Sequence, residues 1–148
     1  MSKTLHHILL ADDDVDDCTF FEEALKELPV SASLSIVNDG VQLITYLSTV
    51  SEKLPGLLFL DLNMPRKGGM ECLSEIKSNN KLKNLPVVIF STSLNNDVAD
   101  RLYQKGAHYY IRKPGEYGQL KKVIFEAITR TAQNNFTQPS RDKFIIQP

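Results

Sequence analysis

The chain has 148 residues, of which 42% are hydrophobic and 24% are charged, as is normal for one ordinary globular domain. Its 17 basic and 18 acidic residues leave a formal net charge of −1, so overall charge draws the molecule neither to nucleic acid nor to an anionic membrane. No stretch approaches the roughly 20 apolar residues that span a bilayer. The N-terminal LHHILLA is short and runs into aspartates, unlike a signal peptide. We therefore expect a cytoplasmic protein with no nucleic-acid or membrane partner.

Strand-like apolar runs alternate with helical patterns along the chain. The first strand is HILLA at 7–11, and the helix after it has apolar residues at helical spacing, acids in its first turn and Pro29 as a stop. The remaining strands are predicted at 34–37, 57–60, 87–90 and 108–113, and the remaining helices near 41–47, 70–78, 95–105 and 117–131. This alternation is typical of an α/β fold. We assign 1–131 to one domain and 132–148 to a C-terminal tail.

The two cysteines, Cys18 and Cys72, show neither metal-ligand spacing nor a disulfide pattern. Both fall in stretches that we predict to be helical. We therefore expect reduced, partly buried thiols, as is usual in a reducing cytoplasm.

Polar side chains stand where four of the predicted strands end. Asp12 and Asp13 come after the first strand, Asp61 after the third and Ser91 after the fourth, and Lys113 closes the fifth, after YYIR. From Asp13 onwards these positions are 48, 30 and 22 residues apart, which suits two, one and one strand-helix-strand crossovers and so predicts parallel strands. In an open parallel sheet all strands end on the same side, where ligands bind. The polar groups should therefore meet in one crevice.

Three carboxylates in one crevice repel each other, so they either take up protons or gather a cation. Oxygen ligands without Cys or His favour Mg²⁺. A carboxylate can also attack phosphorus if the charge of the transferred group is neutralised, and the Lys113 ammonium and the Ser91 hydroxyl could contribute to that. Asp61 is the best nucleophile candidate because its strand is predicted to be central, whereas the pair Asp12 and Asp13 suits metal binding.

At these residues the chain resembles the receiver domain of bacterial two-component response regulators, over about residues 6–130. It is most similar to the stand-alone, single-domain kind related to the chemotaxis response regulator and to phytochrome-associated regulators. The resemblance is carried by LLADD, by LFLDLNMP, by LPVVIFSTS and by the Lys113–Pro114 pair. It implies a flavodoxin-like, doubly wound sheet of five parallel strands in the order 2-1-3-4-5 with five helices. It also implies no separate output domain in 132–148.

The resemblance assigns roles to the crevice residues. Asp61 would be the phosphoacceptor, and Mg²⁺ would be bound by Asp12, Asp13, Asp61 and the backbone carbonyl of Asn63. Ser91 and Lys113 would be catalytic groups for the phosphoryl transfer.

Three further features are implied by the same resemblance. Tyr110, three residues before Lys113, would be the switch residue together with Ser91. The Lys113–Pro114 bond would be cis. Gly69, eight residues after Asp61, matches the family glycine at the end of its loop.

The function that the resemblance implies is a signalling switch. A partner histidine kinase or phosphotransfer protein would donate a phosphoryl group to Asp61, which later loses it by hydrolysis. The protein would catalyse these steps only on itself and would not be an enzyme for other substrates. We hypothesise that Ser91 moves toward the phosphoryl group and that Tyr110 turns into the space it leaves. A downstream partner or a second copy would then bind the face of the fourth helix, fifth strand and fifth helix.

Other acidic, aromatic and imidazole side chains have simpler interpretations. Asp14, Asp16 and Asp17 are expected to cap the first helix, although Asp14 could compete as a metal ligand. The apolar residues of that helix are expected to lie in the core: Phe20, Phe21 and Leu25. The histidines occur where strands begin, which is the wrong end of the sheet for metal binding or phosphohistidine chemistry: His6, His7 and His108.

Two alternatives from other classes remain open. A magnesium-dependent phosphohydrolase of the haloacid-dehalogenase type would need an aspartate two residues after the nucleophile, where this chain has Asn63. A phosphatase assay on small phosphate esters would separate it from the switch. An interaction module regulated without phosphate would keep the fold, but Mg²⁺ would not perturb its site at neutral pH.

Overall fold

The computed structural model describes residues 7–49 and 54–148, which include one sheet of six parallel strands. His6 lies outside the described residues. The strands are β1 (His7–Ala11), β2 (Ser33–Val37), β3 (Leu57–Leu60), β4 (Val87–Ser91), β5 (Tyr109–Arg112) and β6 (Ile145–Ile146). The helices are α1 (Val15–Lys26), α2 (Gly40–Thr49), α3 (Gly69–Ser78), α4 (Asn96–Gln104) and α5 (Tyr117–Gln133), and a 3₁₀ turn covers Arg141–Lys143.

The strand order is β2-β1-β3-β4-β5-β6, with all neighbouring strands parallel. The flavodoxin-like fold and the order of the first five strands are therefore confirmed. The prediction of five strands was wrong in number, because β6 from the C-terminal tail pairs with β5 at the edge of the sheet. A strand of two residues is too short to show an alternating pattern in the sequence.

The sheet is covered on both faces, and successive residues of each strand point to opposite sides. In β1, Leu9 and Ala11 belong to the core shared with α2, α3 and α4. Ile8 and Leu10 belong to the core shared with α1 and α5. Burial on both faces explains why the central strands are continuous apolar runs.

Helix α1 begins directly after the polar end of β1. The carboxylate of Asp14 accepts a hydrogen bond from the Asp17 N–H at 3.0 Å, which confirms the expected N-cap. Phe21 and Leu25 are buried as predicted, but Phe20 is 50% exposed. Its placement in the core was wrong, because a helix advances about 100° per residue and Phe20 falls beside the buried stripe rather than on it.

The C-terminal tail packs on its own domain. Phe144 is fully buried against the rings of Tyr103 and Tyr110, at centroid distances of 5.2 and 6.3 Å. The Tyr110 N–H donates to the Phe144 carbonyl at 3.0 Å, and the Tyr103 hydroxyl donates to the Pro139 carbonyl at 2.6 Å. Helix α5 runs on to Gln133, so the predicted boundary at 131 falls inside it. The tail thus covers the edge of β5 and one side of α4.

Within residues 7–49 and 54–148, no helix is long and apolar enough to cross a bilayer.

Candidate metal and phosphoryl site

The three predicted carboxylates meet at the carboxyl ends of β1 and β3. One oxygen from each of Asp12, Asp13 and Asp61 lies within 4.8 Å of the others. The sheet brings them together, because Ala11 and Leu60 are register partners and the Asp61 N–H donates to the Ala11 carbonyl at 3.0 Å. Asp12 and Asp61 are buried, whereas Asp13 is exposed. This all-oxygen cluster, open on one side, suits a hard divalent cation.

Burial makes both inner carboxyl groups reluctant to ionise. The pKa of Asp12 is raised chiefly by burial, although its hydrogen bonds with Lys113 and with the Asp14 N–H oppose the rise. The pKa of Asp61 is raised from 3.8 to about 6, again chiefly by burial, with the neighbouring charge of Asp12 adding to the rise. The charge of Lys113 and the Asn63 N–H, which donates to the Asp61 carboxylate, both lower this pKa. A bound cation would relieve the same repulsion.

Lys113 is the cation that the structure itself supplies. Its N–H donates to the Ser91 carbonyl at 2.7 Å, which fixes the end of β5 beside the end of β4. Its ammonium lies 2.7 Å from Asp12, 2.9 Å from Asp17 and 3.7 Å from Asp61. Burial disfavours the charged form, yet these carboxylates outweigh burial and raise the pKa of Lys113. Lys113 therefore stays charged at any physiological pH.

Asp17 also belongs to the site, although the sequence predicted only a helix-capping role for it. It lies in the first turn of α1 and hydrogen bonds to Lys113 at 2.9 Å. A signal for it does exist in the sequence, because the first turn of a helix that starts directly after Asp13 remains beside the crevice. The sequence alone does not say which acid of that turn faces inward.

The two predicted switch residues lie close to each other in space. Ser91 is fully buried, and its hydroxyl oxygen accepts a hydrogen bond from the Ser93 N–H at 3.5 Å. Tyr110 is buried too, and its hydroxyl donates to the Ser93 carbonyl at 2.6 Å. A cavity of about 260 Å³ borders Tyr110, Ser93 and Asn63. Tyr110 thus faces the interior, toward the loop that follows Ser91.

The Lys113–Pro114 bond beside the crevice is trans, because no peptide bond in the described residues is cis. The expected cis bond was therefore wrong. Trans is the intrinsically preferred isomer, by about 0.5–1 kcal/mol.

Gly69 begins α3 where a Cβ atom would lie 2.3 Å from the Asp61 carbonyl oxygen. Only glycine lets the loop return this closely to the strand end.

The two described histidines lie at the other end of the sheet, as predicted. His7 begins β1, and its ring hydrogen bonds to the Ser35 hydroxyl at 2.8 Å. His108 precedes β5, accepts from the Val87 N–H at 3.3 Å and contacts the Phe136 carbonyl at 3.2 Å. Burial lowers the pKa of His108 to about 4, so this ring is neutral and structural.

The fold and the site define a class: flavodoxin-like α/β proteins with a cluster of carboxylates at the carboxyl edge of the sheet. Residues 8–125 match the family profile described as Response regulator receiver domain. The chain therefore belongs to the receiver-domain family of two-component response regulators.

Relatives of known structure agree with this assignment. Response regulator Rcp1 of Synechocystis sp. is 36% identical over 121 residues, covering 79% of this chain and 82% of that protein. The phosphorylated cyanobacterial phytochrome response regulator RcpA superposes with a TM-score of 0.77 at 36% identity, and the Mn²⁺-bound form of Rcp1 with 0.76 at 33%. Both matches cover 91% of this chain and 99% of the other. The protein is thus a signalling module of a family that binds a divalent metal.

Proposed function

We propose that Asp61 accepts a phosphoryl group from the phosphohistidine of a sensor histidine kinase or a phosphotransfer protein. The observation that carries this proposal is the position of the Asp61 carboxylate. One of its oxygens lies within 4.8 Å of an oxygen from each of Asp12 and Asp13, and the carboxylate lies 3.7 Å from the Lys113 ammonium. A nucleophile beside both a cation site and an ammonium has the charge neutralisation that phosphoryl transfer requires.

We infer that Mg²⁺ is the metal of this site. The side chains of Asp12, Asp13 and Asp61 and the backbone carbonyl of Asn63 would hold it, and they offer only oxygen ligands, which Mg²⁺ prefers. When bound, the ion supplies positive charge to the phosphoryl oxygens. The Mn²⁺-bound structure of Rcp1 supports a divalent ion in a relative.

The chemical step needs few groups. An Asp61 carboxylate oxygen forms a bond to phosphorus while the bond from phosphorus to the donor imidazole nitrogen breaks, and that nitrogen keeps the electron pair and takes up a proton. Lys113 and the Ser91 hydroxyl donate hydrogen bonds to phosphoryl oxygens. In the later hydrolysis a water oxygen bonds to phosphorus, the bond to Asp61 breaks, and inorganic phosphate leaves.

The path from the site to the surface runs through Ser93. The Ser93 N–H bonds to Ser91 and its carbonyl accepts from Tyr110, so movement of Ser91 toward a phosphoryl group changes the contacts that hold Tyr110. Only such a state-dependent contact shifts a two-state balance. We propose that a downstream partner or a second copy reads this change on the face of α4, β5 and α5, in the cytoplasm. The tail covers part of this face.

The test is labelling by acetyl phosphate in the presence of Mg²⁺. The wild type and the matched control Asp97→Asn should be labelled equally, since Asp97 lies in the first turn of α4 and is not one of the three clustered carboxylates. Asp61→Asn should lose the label, and Asp13→Asn should need far more Mg²⁺. Labelling of Asp61→Asn at the same site would remove the assignment. Steady release of phosphate from small esters would favour a phosphohydrolase instead.

A further inference from the structure

The Lys113 ammonium is shared unequally among three carboxylates. It lies within hydrogen-bonding distance of Asp12, at 2.7 Å, and of Asp17, at 2.9 Å, but 3.7 Å from Asp61. A hydrogen bond between these groups is normally about 2.7–2.9 Å long. The ammonium is therefore committed to two residues other than the proposed phosphoacceptor.

The two short contacts are not equivalent. The Asp12 side chain is fully buried, whereas the Asp17 side chain is 33% exposed. A buried carboxylate that loses its partner pays a large desolvation cost, but one that water can reach pays little. If Lys113 moves, the contact with Asp17 is therefore the one that breaks.

Open space lies beside the contact between Lys113 and Asp17. A cavity of about 140 Å³ is bordered by Asp17, Phe90 and Lys113 but not by Asp61, so the Asp17 side chain has room to turn away from the ammonium. The Phe90 ring centroid lies 5.4 Å from the Lys113 ammonium and presents its face to it, so the ammonium keeps a favourable neighbour while it changes partners.

We propose that Asp17 is a positioning residue that competes with the phosphoryl group for Lys113 and so weakens the hold of the site on that group. This inference rests on the proposed function of Asp61. To donate to a phosphoryl oxygen, the ammonium gives up Asp17 and keeps Asp12. Asp17 thereby favours the unphosphorylated state and shortens the time for which the signal lasts.

The direct test is the affinity for beryllofluoride, a phosphoryl mimic, in saturating Mg²⁺. Asp17→Asn removes the competing charge with little change in shape, and we expect it to bind about three- to tenfold more tightly than wild type. The matched control is Asp16→Asn, which removes the same charge from an exposed neighbour in the same helical turn. The control should bind like wild type. The excess of Asp17→Asn over the control should persist at about 0.5 M salt, because salt screens long-range repulsion far more than a short contact.

A second readout needs no metal. In a crystal structure of metal-free Asp17→Asn, the Lys113 nitrogen should move to within about 3.2 Å of an Asp61 oxygen. Equal or weaker beryllofluoride binding by Asp17→Asn, relative to Asp16→Asn, would overturn the inference and leave the proposed function intact. Failure of the wild type to bind beryllofluoride would instead overturn the proposed function.

Discussion

The ionised form of the buried Asp61 carboxylate destabilises the folded, metal-free protein. Its folded pKa of about 6 lies above the ordinary 3.8 because of burial first and the Asp12 charge next. Because the pKa of Asp61 is higher in the folded than in the unfolded protein, this loss of stability is fully present above pH 6 and disappears as the pH falls toward 4. Metal-free Asp61→Asn should therefore melt at a higher temperature than wild type at pH 7.5, by roughly 2–6 °C. Near pH 4 the two proteins should melt at the same temperature.

Melting curves with and without Mg²⁺ check this prediction. Saturating Mg²⁺ should raise the melting temperature of the wild type and leave Asp61→Asn almost unchanged, because only the wild type retains the complete cation site. Asp97→Asn serves as the control and should follow the wild type in both conditions. A metal-free Asp61→Asn that is less stable than wild type at pH 7.5 would refute the argument.

Lys113 should matter for stability as well as for chemistry. In Lys113→Met the fully buried Asp12 loses its ion-pair partner, which should cost roughly 2–4 kcal/mol in the metal-free protein. Mg²⁺ should return part of this, since it neutralises the same carboxylates. Lys121→Met is the matched control, because its pair with Glu27 is exposed and should contribute much less to stability. Denaturant unfolding measures both, and equal losses would contradict the prediction.

Strand geometry determines which residues of the site could be predicted from the sequence. Asp12, Asp13, Asp61 and Lys113 each follow an apolar run, and parallel strands end together, so their meeting could be predicted. Asp17 could not, because the first turn of α1 carries both Asp16 and Asp17, and the sequence does not reveal which of them reaches Lys113.

Among the elements, β6 and the tail before it are the part of the packed domain that the sequence analysis did not predict. Phe144 is fully buried against α4 and β5, and Phe144→Ala should cost roughly 3–5 kcal/mol of tail docking. The Tyr110 N–H, which donates to the Phe144 carbonyl, should then exchange with solvent deuterium at least about tenfold faster. Phe20→Ala, at a half-exposed phenylalanine, should leave this exchange unchanged.

Unchanged exchange at Tyr110 in Phe144→Ala would mean that the tail is not held by its phenylalanine.

Strand β6 could not be predicted from the sequence for a physical reason. Its pairing with β5 is a contact between distant parts of the chain, and an apolar cluster of three residues in a polar tail carries no strand periodicity. The longer strands and the five helices could be predicted because each has a repeating pattern of its own.

For the molecule as a whole, the two thiols should report global unfolding. Cys18 and Cys72 are buried, and burial raises the pKa of each thiol to about 11. Neither is ionised or accessible at pH 7.5, so a thiol reagent should modify both together and only as fast as the molecule opens. Mg²⁺ should slow both reactions equally through its added stability. One thiol that reacts rapidly in the native protein would contradict this.

The overall fold could be predicted because its determinants agree: strand-like runs, helix spacing and crossover lengths all indicate one parallel α/β sheet. The trans Lys113–Pro114 bond and the exposure of Phe20 could not, because each depends on packing around a single residue. The family resemblance gave the correct class, but it did not decide these local details.

The most direct test of the account is to locate the phosphoryl group. The wild-type protein would be treated with acetyl phosphate in Mg²⁺ or in a metal chelator, digested, and mapped by mass spectrometry. We predict one phosphoryl group, on the peptide that contains Asp61, in the Mg²⁺ sample and none in the chelated sample. A phosphoryl group on a different residue, or equal labelling without metal, would contradict a metal-dependent aspartyl phosphate at the carboxyl edge of the sheet.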